Sequence, residues 1–556
     1  MKKLNWQKLI AMLLISTFAS LCLAGCGGGG PGGGSSAGPD PSAAAGAGVA
    51  PDESAAPDPG AAGPSSIVAY VGTTIFDSGL DPIKGAMSYG YPFTNAALLK
   101  VAPASTYGGD LAVAWTVSDD GLVYTFDLRE GVRFSDGSAL TAEDVVFTYE
   151  TVRERQAENE SADLTRLAAV RALGDYRVEF TLAEPFSPFL DTAAILGIAP
   201  SDAYDSETFD HYPIGAGPWR ILQYDANQQI IAAANPYYYD KAPAIDRVTL
   251  VYMDNDAALA AARSGQLDVV MVSPNYATET VSGMRLLPLE TMDVRLVSLP
   301  TQRSLERDGQ ATGNDVTADS HVRQALAIGI DRETIIQNAF NGVGRPATGF
   351  TGNLIWAGGL VYEDNRKAEA AALLESAGWI DEDGDGYREK DGVACEFDLL
   401  AAEDRYGLAA ALAEDAAALG IKINPQAASW GDIAARMNSA GVVWGWGQYS
   451  PTVVRSLFDS RGAFSGGFDN VVGYTNPRVD ELIDQALAQV SQEAAVAAWK
   501  QAQAIADQDY PYLYIVNIEH CYFVSDRLDI SLDTQIPHPH GHGSPIICNM
   551  KDWTLK

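Results

Sequence analysis

Two kinds of hydrophobic pattern run along the chain. A short β-branched and aromatic run, Ile67-Val-Ala-Tyr-Val71, predicts a strand. Val123-Tyr-Thr-Phe-Asp-Leu128 alternates between two faces after the Asp119-Asp-Gly121 turn and predicts another. Helical periods alternate with these. Thr141-Ala-Glu-Asp144 is a capping box that opens a helix through Val145, Val146 and Tyr149. Asp331 caps a helix carrying Ile335, Ile336 and Phe340, with Gly342 placed to stop it. Asn476-Pro477 puts a cap and an N1 proline ahead of the apolar stripe Val479, Leu482, Ile483 and Leu487. No fixed-period repeat occurs. The pattern describes a mixed α/β body of several lobes, and 556 residues leave room for three or four domains.

The first 26 residues do not fit that body. Lys2 and Lys3 precede an apolar-rich run over residues 9–23, and Ala24-Gly25-Cys26 closes it, the zones of an export signal. The run is shorter than the roughly 20 residues needed to span hydrocarbon. No later stretch reaches that length without charges, Gly or Pro, which excludes a polytopic membrane protein. Leu23-Ala-Gly-Cys26 looks like a bacterial lipobox, which makes Cys26 the expected acylated first residue of the mature chain. Each buried acyl methylene contributes about 0.8 kcal/mol, so more than one chain holds a protein on a membrane without crossing it. Residues 27–66 are almost entirely Gly, Ala, Pro, Ser and Asp, too few apolar groups to offset the entropy of ordering. They form a predicted tether with a reach of roughly 35 Å.

Charge narrows the partners. With 37 Lys and Arg against 72 Asp and Glu, a formal charge of -35 repels phosphate backbones and excludes a nucleic-acid protein. Five Cys (22, 26, 395, 521 and 548) exclude a dense disulfide framework; Cys521 and Cys548 are open either to pairing or to remaining separate thiols. No Gly-x-Ser-x-Gly elbow, Walker-A loop or His-Glu-x-x-His motif is present, so no enzyme is expected.

Several segments taken together resemble a known family. They are residues 111–115 (Leu-Ala-Val-Ala-Trp), 119–129 (Asp-Asp-Gly-Leu-Val-Tyr-Thr-Phe-Asp-Leu-Arg) and 131–145, which opens Gly-Val-Arg-Phe-Ser-Asp-Gly. Pro213-Ile-Gly-Ala-Gly-Pro-Trp219, Asn235-Pro-Tyr237, Gly265-Gln-Leu-Asp268, Val322-Arg-Gln-Ala-Leu326 and Asn470-Val-Val-Gly-Tyr-Thr-Asn-Pro477 follow in order. Over about residues 67–535 the chain is similar to the extracytoplasmic solute-binding proteins of the peptide/nickel/opine class, family 5, which feed ABC importers. The resemblance implies an α/β bilobal clamshell of the periplasmic-binding-protein type (type II, cluster C-like) with an extra inserted domain. It places lobe I at residues 67–100, 214–300 and 535–556, the inserted domain at 101–213 and lobe II at 301–534. It further implies a monomer outside the cytoplasmic membrane, lipid-anchored, with ABC permease subunits and a short peptide or similar solute as partners, and no covalent chemistry.

The candidate ligand contacts follow from that frame. Trp444-Gly-Trp-Gly-Gln-Tyr-Ser-Pro451 sets three aromatics between glycines, a pattern that suits stacking on a ligand or a buried strand end. From it Trp444, Trp446, Gln448 and Tyr449 are candidates. Peptide-binding relatives often carry an acidic residue just before this proline for the peptide amino terminus; residues 444–451 contain none. Tyr89 and Tyr91, after Leu80-Asp-Pro82, belong to an entry segment that faces the cleft in relatives. Arg345 suits a ligand carboxylate or an ordinary surface loop.

His538, His540 and His542 stand at i, i+2 and i+4, which in an extended chain project to one face and can converge on Ni²⁺, Zn²⁺ or Cu²⁺. A transition metal, as the bound solute, is therefore the alternative cargo; a Pro/Gly-rich loop with hydrogen-bonded imidazoles is the structural one. Asp381-Glu-Asp-Gly-Asp-Gly386 imitates a calcium loop but has Gly392 where the bidentate Glu belongs, and a structural hairpin is expected.

Overall fold

The structure is a computed structural model that describes residues 65–77, 79–86, 90–102, 106–159, 161–540 and 545–556. Cys26, residues 27–64 of the tether, Tyr89 and His542 lie outside the described residues, and Ser66, expected in the tether, already belongs to the first strand because it pairs with Arg247.

The architecture rests on strands β1 (Ser66–Tyr70), β2 (Ala112–Val117), β3 (Val123–Leu128), β4 (Leu167–Ala172), β5 (Arg177–Leu182), β6 (Trp219–Asp225), β7 (Gln229–Ala234), β8 (Arg247–Val251), β9 (Val269–Val272), β10 (Met284–Ser298), β11 (Glu396–Ala401), β12 (Lys422–Ala427), β13 (Gly441–Trp446) and β14 (Tyr512–Ser525). Ten of them form one sheet in the order β12-β11-β13-β10-β14-β9-β1-β8-β7-β6, and the two-residue strand Arg345–Pro346 pairs with β14. The β1/β8, β1/β9, β11/β12 and β11/β13 pairs are parallel. Parallel strands are covered on both faces, which is why β9 and β13 read as continuous apolar runs, Val-Val-Met-Val and Gly-Val-Val-Trp, rather than alternating.

Two long antiparallel strands join the halves of this sheet. The chain leaves one half along β10, builds the other over residues 299–511, and returns along β14. The β10/β14 register jumps between Glu290/Glu519 and Val294/Asn517, so Thr291, Met292 and Asp293 stand against Ile518 alone. Such a bulge bends the strand and breaks the ladder locally. Thr291 Oγ1 donates to the Ile518 carbonyl at 2.7 Å and Asn517 Nδ2 donates to the Asp293 carbonyl at 3.0 Å, so the irregular backbone keeps its partners.

A second, antiparallel sheet of order β2-β3-β5-β4 lies within residues 101–213. Its alternating burial turns Tyr124, Phe126, Val178 and Phe180 inward against helix α1 (Ala142–Glu154) and helix α2 (Phe189–Ile195). Phe180 meets Phe126, Tyr149 and Phe189 at centroid distances of 5.6, 4.7 and 5.2 Å. The Thr141/Asp144 capping box opens α1 as the spacing requires. Asp331 caps α3 (Arg332–Phe340) through Thr334 N–H, with Asn341 in the left-handed region at its end and Gly342 next. After α4 (Thr452–Phe458), Asn476 caps α5 (Pro477–Leu487) through Arg478 N–H, and the predicted stripe is buried.

Among the described residues no helix is long and apolar enough to cross a membrane. Cys395, Cys521 and Cys548 are free thiols. In the acidic turn, Asp381 accepts from Gly384 and Gly386 N–H and Asp385 from Tyr387 N–H, the bonding of a structural turn.

Candidate functional site

Register locates the cleft. Val272, the last residue of β9, pairs with Cys521, and Trp446, the last of β13, pairs with Val294. Parallel strands of both halves thus end beside the same bulge, from opposite sides. Ligands of open α/β sheets bind in the crevice beyond strand carboxyl ends, and here two such crevices face each other across a bend.

Residues 444–451 emerge at this point. Trp444 is buried; its indole N–H donates to Ser298 Oγ at 3.0 Å and its ring packs on Trp430 and Phe468. Trp446 is half-buried, and its indole nitrogen meets no acceptor among the described residues. Gln448 Oε1 accepts from Gly447 N–H. Tyr449 is buried, its hydroxyl donating to the Pro537 carbonyl and its own carbonyl accepting Trp356 Nε1–H at 2.7 Å. The two glycines make room for the protein itself. A Cβ on Gly445 would stand 1.9 Å from Arg295 Nη1 and 2.4 Å from the His540 ring, and one on Gly447 would stand 1.9 Å from the Met292 carbonyl oxygen.

Residues 537–540 pass between this turn and the bulge. Met292 N–H donates to the His538 carbonyl and His540 N–H to the Gly447 carbonyl, at 2.8 and 3.0 Å. His540 Nδ1 lies 2.9 Å from Asp293 Oδ2, and Arg295 Nη2 lies 3.2 Å from the same oxygen. Burial pushes the Asp293 carboxyl up, but Arg295 and His540 outweigh it and hold it well below the usual carboxylate range. The His538 ring lies 5.9 Å from that of His520, whose pKa burial pushes down to about 4, leaving it neutral at pH 7. Among the described residues the group of three metal-capable side chains within 4.8 Å is Asp381, Asp383 and Asp385; His538 and His540 belong to no such group.

Tyr91 is buried in the core around β1, and neighbouring Gly90 reaches the same region, since a Cβ on it would lie 3.6 Å from the Tyr449 ring. Arg345 is 57% exposed and spends its guanidinium on Glu290 and Glu519, at 2.8 and 3.1 Å. Exposed pairs contribute little, so Arg345→Ala is expected to change unfolding free energy in urea by less than about 1 kcal/mol. A larger loss would make this bridge between β10 and β14 a structural clamp.

Cavities of about 190, 200 and 440 Å³ open here, the second lined by Thr291, His520 and His538. The first lies between Ser273 and Pro274 beyond β9 and Arg295, Arg405 and His520 opposite. The third lies between α2 and the start of α4, lined by Asp191 and Thr192 on one side and Ser450, Thr452 and Arg455 on the other. Asp191 is 6% exposed, with the Ser450 hydroxyl hydrogen-bonded to it and Oδ2 without a partner among the described residues.

The sequence reading missed Asp191, Asp293 and Arg295. Each left a signal: Asp191 is the lone acid on an otherwise apolar helical face, and Asp293 and Arg295 are opposite charges at i, i+2 on one strand.

Residues 106–464 match the family described as bacterial extracellular solute-binding proteins, family 5 Middle. The chain belongs to this family. The solute-binding protein is 33% identical over 445 residues to Protein XP55 of Streptomyces lividans, covering 77% of this chain and 79% of the relative. It is 31% identical over 426 residues to the oligopeptide-binding protein AppA of Bacillus subtilis, covering 72% and 76%. The fold of the solute-binding protein is that of NikZ from Campylobacter jejuni, solved in complex with Ni(L-His): TM-score 0.69, 21% identity, 88% of this chain and 99% of that one. The bilobal α/β clamshell expected from the sequence is therefore the fold.

Proposed function

We propose that this solute-binding protein is the lipid-anchored receptor of an ABC importer, which closes on a short peptide between its lobes and releases it unchanged to the permease. The observation that carries the reading is the convergence of β9 and β13 on the β10/β14 bulge: two crossings with a bulge between them are a hinge, and solute between the halves favours the closed form by its higher affinity for it. Lobe I would comprise residues 67–100, 214–300 and 535–556, the inserted domain 101–213 and lobe II 301–534. Similarity to an oligopeptide-binding protein supports the peptide, and the lipobox supports an anchor on Cys26. Loss of labelled tripeptide uptake in a deletion strain, restored by the wild-type chain but not by Cys26→Ala at normal expression, is the expected result. Unchanged uptake in the deletion strain would leave a sensor or adhesin instead.

A second reading, a transition metal or its chelate as cargo, rests on His520, His538 and His540 gathering at the hinge and on the fold shared with a protein solved with Ni(L-His). Calorimetry with Ni²⁺ and L-histidine tests it; no heat of binding, or the same binding in His538→Ala, removes it.

A further inference from the structure

We infer that the 440 Å³ cavity between α2 and α4 receives an ammonium group of the solute, with the Asp191 carboxylate as its counter-charge and hydroxyl oxygens around it. The inference rests on the receptor reading above and names the chemistry its ligand must carry.

Two other aspartates beside these elements have a cation: Asp293 has Arg295, and Asp459 has Arg455 and Arg461. Asp191 has none; its surroundings supply one hydroxyl, from Ser450, and leave Oδ2 unpartnered among the described residues. A buried carboxylate without a cation is costly, and burial, against the one Ser450 hydrogen bond, pushes this one up to about 7. A site that keeps such a group beside a cavity of ligand size is poised for a cation to enter.

The lining fixes the sign and the kind. Four aspartates (163, 191, 459 and 469) face two arginines, 455 and 461. Both arginines are engaged, Arg455 with Asp459 at 3.5 Å and Arg461 with Asp459 and Asp484 at 2.7 Å each, so neither is left for an anionic ligand. A metal ion does not fit, because no trio of metal-capable side chains lies here among the described residues. An ammonium fits. It has three donors and no acceptor, and Asp191, Ser450, Thr452 and Thr192 offer oxygens in the same wall. The same chemistry could come from a peptide amino terminus or from a free amine.

The test is calorimetry on the purified full chain with trialanine, N-acetyl-trialanine, 1,4-diaminobutane and Ni²⁺. A hydrogen bond to a charged group contributes about 1.5–3 kcal/mol, so N-acetylation and Asp191→Asn are each expected to weaken trialanine about 10- to 150-fold, and not additively. Ser450→Ala, which keeps the carboxylate, is expected to weaken it less. Binding of the diamine alone, lost in Asp191→Asn, also supports the site and makes the source a free amine. N-acetyl-trialanine bound as tightly as trialanine would overturn the inference while leaving the receptor reading intact. So would identical affinities in wild type and Asp191→Asn, or Ni²⁺ binding that depends on Asp191. No binding of any probe would overturn both.

Discussion

Gly447→Ala is expected to unseat the aromatic turn from the hinge. Gly447 has φ of +145°, a conformation that side chains rarely adopt, and the methyl would stand 1.9 Å from the Met292 carbonyl oxygen and 2.6 Å from its carbon. Neither obstacle is a flexible side-chain end; both are buried backbone in the bulge, already held by the His538 carbonyl on the other side. The turn or the bulge must therefore move by more than 1 Å, and strain plus lost packing is expected to reduce stability by about 3 kcal/mol. Because residues 444–449 lead directly into Ser450 and the 440 Å³ cavity, ligand affinity should fall with it. Urea unfolding and calorimetry check both effects. Gly407→Ala is the control: nothing lies within 4 Å of its Cβ, it sits in the helix Tyr406–Ala417, and a change between neutral and about 1 kcal/mol more stable is expected. Wild-type affinity and stability in Gly447→Ala would show that the turn does not depend on the close approach.

Asp507→Asn is expected to make the protein more stable at pH 8 and to flatten its pH dependence. Asp507 is buried without a cation among the described residues; it accepts a long 3.5 Å bond from Tyr514, and the Leu360 backbone N–H is its other donor. Burial pushes its pKa up to about 8, whereas in the unfolded chain an aspartate titrates near 4. Between about pH 4 and pH 8 the folded state therefore binds more protons than the unfolded one, so stability falls as pH rises through this window. At about 1.4 kcal/mol per unit the loss is on the order of a few kcal/mol by pH 8. Asp191, pushed up to about 7, acts in the same direction. Asp293 acts in the opposite one: held low by Arg295 and His540, it contributes stability above the unfolded value that is lost as pH falls through its folded one. Thermal unfolding of wild type and Asp507→Asn at pH 4, 6 and 8 should agree at pH 4 and diverge by pH 8. Parallel curves would mean that Asp507 is ionised and solvated in the folded protein.

What the sequence made legible was local. The caps at Thr141, Asp331 and Asn476 act within four residues, so their geometry is written where the residues stand. The β1 strand falls one residue earlier than its apolar run, at Ser66–Tyr70, because the ladder with β8 begins at Ser66. The bulge at 291–293 was not legible, since a register jump exists only between two strands that lie more than 200 residues apart in the chain. The glycines of residues 444–451 suit either a ligand or a buried strand end by sequence alone; the obstacles nearest to Gly445 and Gly447 are Arg295, His540 and Met292, distant in sequence. Of the histidine pattern, the described His538 lies beside His520 and His540 beside Asp293, residues supplied by β14 and β10 from far away in the sequence. Asp191 carries the same lesson. One acid among apolar neighbours is visible in the sequence, but its facing Ser450 across 259 positions is not.

Small-angle scattering of the full chain with and without saturating trialanine, followed by mass spectrometry of the recovered peptide, tests the central claim most directly. A smaller radius of gyration with peptide and recovery of intact trialanine are expected. Superimposable curves with the peptide demonstrably bound, or recovery of cleaved or modified peptide, would contradict a receptor that closes around its solute and releases it unchanged.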